Sequence, residues 1–91
     1  MASTSSLIRL LTPKIQQLVD LRFGSLTGEP ESNLSLDQAG LRQGDQIIYE
    51  FLDHGEHGLA FEHLVYMIEE AGIALAPEQR RTLDQISAKL S

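Results

Sequence analysis

The chain of 91 residues contains no cysteine, which excludes a disulfide framework, a thiolate nucleophile and a cysteine-based zinc site. It has no run of about 18 apolar residues, the least that a bilayer-spanning helix needs. The opening stretch, MASTSSLIRLLTPK, lacks the continuous apolar segment of a secretory signal. These absences predict a cytoplasmic protein with no membrane partner. Also missing are a G-x-S-x-G elbow and a Gly-rich phosphate loop. No stretch alternates with strand periodicity, and no internal repeat or low-complexity tract occurs.

Positive charge is scarce and unevenly placed. Thirteen Asp and Glu stand against seven Lys and Arg, a formal net charge of -6. That sign repels phosphate backbones and anionic lipid, so direct nucleic-acid binding is not expected and a basic protein partner is. Between Gln43 and Gln79 lie eight acids (Asp45, Glu50, Asp53, Glu56, Glu62, Glu69, Glu70, Glu78) and no Lys or Arg. The folded molecule should therefore have an acidic side. Such a side can serve only to keep a small protein soluble, or it can meet a partner.

What is present is helical periodicity. With 42% hydrophobic and 22% charged residues, residues 1–91 suit a single small domain. Ser3 to Leu11 reads as a short helix, with Thr12 as the N-cap and Pro13 as the first residue of a second helix reaching about Arg22. On that second helix Ile15, Leu18, Val19 and Leu21 or Arg22 mark the buried face. Gly24 to Asn33 (GSLTGEPESN) reads as an exposed loop. Ser35 and Gln38 form a capping box for a helix to about Asp53, with Leu41, Ile47, Ile48, Phe51 and Leu52 as its apolar stripe. Gly55 suits a left-handed stop, and Gly58 lets the chain re-enter helix.

From Leu59 to Ala71, a rotation of about 100° per residue gathers Ala60, Phe61, Leu64, Val65, Met67, Ile68 and Ala71 on one face. Glu62, His63, Tyr66, Glu69 and Glu70 gather on the other. Gly72 closes that helix, and Pro77 opens a last one with Gln79, Leu83, Ile86 and Leu90 in line. The expected fold is all-α, an irregular bundle of four to five short helices.

Tyr66 stands amid the acids of its helix. An aromatic ring in a field of one sign is a common form of binding hot spot; the alternative is that it folds back over the edge of the core. His54, Glu56, His57 and His63 invite a metal reading. The order H-G-E-H followed by E-H is not H-E-x-x-H, however, and the glycines put His54 and His57 at a turn while His63 sits on the next helix, so no metal site is expected. Glu69 and Glu70 point about 100° apart and share no pocket for acid–base chemistry. The sequence thus predicts neither an enzyme nor a cofactor.

The run from Phe51 to Leu90 resembles the C-terminal half of the MafI-type immunity proteins. These are small bacterial proteins that block a secreted or contact-delivered toxin. The turn-and-helix pattern G-E-x-G-L-A-x-E-x-L stands here as Gly55-Glu56-His57-Gly58-Leu59-Ala60-Phe61-Glu62-His63-Leu64. An acidic and aromatic stretch, a short apolar connector and a Pro-opened helix follow it. The resemblance implies binding of a cognate toxin in the cytoplasm, often a nuclease such as an RNase of the EndoU type. The acidic set Glu56, Glu62, Glu69 and Glu70, with His63 and Tyr66, is the expected partner-binding surface. The alternative is a small acidic adaptor or regulatory subunit that binds a basic protein with no toxin involved.

Overall fold

The computed structural model describes residues 3–25, 41 and 43–90, the side chains of 23–25 excepted. Among the described residues there are four helices and no strand: α1 (Thr4–Ser25), α2 (Gly44–Asp53), α3 (His57–Ala71) and α4 (Pro77–Leu90). The all-α fold follows the expected pattern, with differences in detail.

The first difference is at Pro13. Thr12 does not cap a second helix there, because α1 runs unbroken from Thr4 to Ser25 with Pro13 inside it. An interior proline costs about 3 kcal/mol through its missing N–H and its clash with the preceding turn. Against that cost stand Ile8, Leu11, Ile15 and Val19, all buried and spaced to lie on one face of a continuous helix. Burying one such side chain is worth roughly 1.5–3 kcal/mol, so four aligned on both sides of Pro13 outweigh the break. The fully buried Thr12 hydroxyl, with no capping role, donates to the Ile8 carbonyl at 2.6 Å. Leu21, expected near the buried face, points outward and is 64% exposed.

Gly24 and Ser25 belong to α1 and not to the expected loop. The remainder of that loop, and the capping box of Ser35 and Gln38, lie outside the described residues. The helix expected from Ser35 is not continuous to Asp53, since Leu41 and Gln43 are non-helical and α2 begins at Gly44. Gly44 packs closely against Met67. A Cβ built there would fall 2.4 Å from the sulfur of Met67 and 2.6 Å from its methyl carbon, and Met67 is itself fully buried. Because Gly44 opens α2 and Met67 lies near the end of α3, the two helices run antiparallel as a hairpin.

The turn of that hairpin ends α2 as the two glycines suggested. Gly55 has φ +72°, the Gly55 N–H donates to Leu52 O at 3.1 Å, and the Glu56 N–H donates to Phe51 O at 2.8 Å. This is the paired bonding of a Schellman motif. Gly72, φ +66°, repeats it after α3, where the Ile73 N–H donates to Ile68 O at 2.9 Å. Helix α3 starts at His57, two residues before the expected Leu59, and takes Gly58 into its first turn. At the start of α4 the Ala76 N–H donates to the Gln79 side chain at 2.9 Å, half of a capping box.

The core lies where α3 meets the other helices. Ala60, Leu64, Met67 and Ala71 of α3 are buried with Ile8, Leu11, Ile15 and Val19 of α1, Ile48 and Leu52 of α2, Leu83 and Ile86 of α4, and Leu41. Helix α4 leans mainly on α1. One buried polar side chain ties α1 to the entry of α2. Gln16 donates through Nε2 to Leu41 O at 3.2 Å and to Asp20 at 3.0 Å, and its Oε1 accepts the Asp45 N–H at 2.9 Å. The Asp45 N–H belongs to the first turn of α2, where no preceding helical carbonyl can serve it.

Two measurements check this packing. Leu64→Ala should destabilise by about 2–5 kcal/mol, as truncations of buried leucines do. The glycines should split in sign. Gly58→Ala adds a methyl in open space inside a helix and should stabilise by about 0.5–1 kcal/mol, whereas Gly44→Ala overpacks Met67 and should destabilise by about 1–3 kcal/mol. Chemical denaturation of the three variants reads these values, and equal effects at the two glycines would contradict the close approach of α2 to α3.

Candidate functional site

The charge asymmetry of the sequence becomes a spatial one in the α2–α3 hairpin. Asp45, Glu50, Asp53, Glu56, Glu62, Glu69 and Glu70 belong to it, and no Lys or Arg does. The cations of the described residues sit on α1 and α4: Arg9, Lys14, Arg22, Arg80, Arg81 and Lys89. Two of them approach the hairpin: the Arg22 guanidinium lies beside Gly72 at the end of α3, and Arg9 reaches across to α2. Arg9 pairs with Asp53 at 3.1 Å and lies 5.7 Å from the centre of the Tyr49 ring. With side chains 46% and 67% exposed, this ion pair contributes at most about 1 kcal/mol. Its main effect is to neutralise Asp53 at one end of the hairpin.

Because α3 is a regular helix with a fixed inner face, the expected site residues have a defined arrangement. The buried stripe Ala60, Leu64, Met67 and Ala71 faces inward. His63, Glu70, Tyr66, Glu62 and Glu69, in that angular order, then span an arc of about 120° turned away from the stripe, at about 100° per residue. Glu62, Glu69 and Glu70 are exposed; His63 and Tyr66 are half-buried. The Tyr66 and His63 rings are 5.6 Å apart at a tilt of 36°. Tyr66 also packs against the core edge, as one of the two alternatives left by the sequence has it, and stays partly exposed. Glu56 is exposed in the turn before α3, four residues N-terminal to the buried Ala60 and seven before His63. It extends the same side toward α2 without belonging to the helix.

The histidines do not converge. The His54 ring Nδ1 lies 2.8 Å from the Glu50 carbonyl in the turn, His57 opens α3, and His63 sets its ring at a tilt beside Tyr66. Among the described residues no group of three His, Asp or Glu is placed to hold a metal ion. A cleft of about 200 Å³ between α1 and α4 is lined by Leu10, Leu11, Lys14, Glu78, Gln79 and Thr82, and the Thr82 hydroxyl in it donates to the Glu78 carbonyl at 3.0 Å. No helix among the described residues is long and apolar enough to cross a membrane.

Sequence reasoning did not single out Leu59. It is 44% exposed and stands seven residues before Tyr66, two turns back on the same side of α3. That spacing was the available signal, but a leucine at the start of a helix reads first as core. Comparison of the chain with family models, with curated proteins and with solved structures finds no match.

The scattering of the histidines makes one outcome definite. Equimolar zinc should leave the melting temperature of the protein where it is, and a saturable rise that His54→Gln, His57→Gln and His63→Gln abolish together would reveal a site that this geometry does not provide.

Proposed function

We propose that the chain is an inhibitor of the immunity type, which binds a basic toxin domain through the outward face of α3 and occupies the surface that the toxin uses. The observation that carries this reading is the cation-free α2–α3 hairpin with Tyr66 set among Glu62, Glu69 and Glu70. A nuclease gathers Lys, Arg and His to attract phosphate, and a rigid array of carboxylates competes for the same field. The resemblance of Gly55 to Leu64 to the MafI-type turn-and-helix points to the same class of partner, an EndoU-type or other RNase among them. In this reading the protein acts in the cytoplasm, touches neither nucleic acid nor membrane, and does no chemistry of its own.

The mechanism follows from the division of labour on the surface. Exposed carboxylates act over the distance of a Debye length, about 8 Å at physiological salt, and so govern encounter. Tyr66, held by its own packing, loses little freedom on docking and governs dissociation. An adaptor role would use the same face. What separates the two is whether the bound partner is a toxin, and the protein encoded by the adjacent gene is the first to test.

Binding kinetics against that product at low and high salt separate the contributions. Glu62→Lys combined with Glu69→Lys should slow association and flatten its salt dependence, with the melting temperature little changed because both positions are exposed. Tyr66→Ala should instead speed dissociation and cost about 2 kcal/mol or more of binding. If both variants bind as the parent does, the acidic face serves solubility alone.

A further inference from the structure

An open cleft of about 420 Å³ lies where α2 meets the start of α3, lined by Ile47, Glu50, Phe51, His54, Glu56 and Leu59. Ile47, Glu50 and Phe51 of α2 and His54 at its C-cap are spaced i, i+3, i+4 and i+7, a single face, and the glycine turn brings Glu56 and Leu59 opposite them. The floor is apolar: Ile47 and Phe51 are half-buried and Leu59 is 44% exposed. Glu50 and Glu56, both exposed, supply carboxylates to the same cleft. Leu59 is two turns from Tyr66 on one side of α3, so the cleft continues the surface described above.

An apolar depression with carboxylates on its wall has a definite complement. A purely apolar group would leave the carboxylates desolvated and unpaired, and a lone cation would leave the leucine and phenylalanine surface wet. A large apolar side chain with a neighbouring Lys or Arg satisfies both at once. We propose that this cleft is the anchor pocket of the docking surface, and that it seats an apolar side chain flanked by Lys or Arg on a segment of the partner protein. The inference rests on the protein-binding reading above and names the chemistry by which the partner is gripped.

The test uses the intact isotope-labelled chain and three synthetic amphipathic peptides of about 15 residues, long enough to form a helix: one of Lys and Leu, one of Lys and Ser, one of Glu and Leu. The Lys–Leu peptide should shift the amide resonances of Ile47, Phe51 and Leu59 saturably, and the other two should bind at least about tenfold more weakly. Leu59→Lys should weaken the Lys–Leu peptide by about tenfold or more without lowering the melting temperature, and Leu59→Met should restore binding. Equal binding of the Lys–Ser peptide would reduce the site to diffuse charge, and equal binding of the Glu–Leu peptide would reduce it to a greasy patch. Shifts confined to other regions, or a cleft already filled by a second copy of the chain at working concentration, would overturn the proposal outright. The two readings fail separately. An adjacent-gene product that binds parent and Leu59→Lys alike removes the pocket and leaves the inhibitor; one that binds neither removes the inhibitor, and the peptide titration still decides the pocket.

Discussion

Ala60, Leu64, Met67 and Ala71 have to be hidden from water, and they are hidden where α1 and α2 pack against α3 and α4 closes the same core, leaning mainly on α1. A domain this small buries a smaller fraction of its surface than a large one does, so few of these contacts can be spared. Met67 seated over Gly44 sets how closely α2 approaches. The two Schellman turns, at Gly55 and Gly72, set where α3 begins and ends. Gln16 then joins α1 to the entry of α2 through the Leu41 carbonyl and the Asp45 N–H, the latter a first-turn donor with no helical acceptor of its own.

Once the inner face of α3 is fixed, its outer face has no freedom left. Glu62, His63, Tyr66, Glu69 and Glu70 are carried to one side because a helix rotates by about 100° per residue, and the cations of the described residues belong to α1 and α4. In the proposed reading, stability and recognition use largely different faces of the same helix, with Tyr66 shared between them. A carboxylate on the outer arc can be changed with little effect on the core, and a change in the core would displace the entire arc.

The all-α class and the elements from Ile47 onward were legible in the sequence because each carries two agreeing signals, an apolar stripe and a glycine or proline stop. Gly55, Gly72 and Pro77 punctuate the chain where the structure does. The division of α1 at Thr12-Pro13 was misread because local punctuation was set against a stripe that continues through it. Ile8, Leu11, Ile15 and Val19 span the proline, and the summed burial wins. Gly44 looked like a weak helix residue by propensity, yet its role is to admit Met67, a contact 23 residues away in sequence that no local pattern contains. The acidic residues of α3 were legible as a face from spacing alone. The cleft was not, since its floor joins Leu59 to Ile47 and Phe51 across a turn whose geometry only the folded hairpin defines.

The central claim is that the outward face of α3 is the recognition surface while α1 and α4 support it from behind. It is tested most directly by mapping the backbone resonances of the isotope-labelled chain as the unlabelled adjacent-gene product is added. The account predicts changes concentrated at Glu56, Glu62, Tyr66, Glu69 and Glu70, with the outer positions of α1, Leu10, Lys14 and Leu21, unmoved. A footprint on α1 with α3 undisturbed would contradict it.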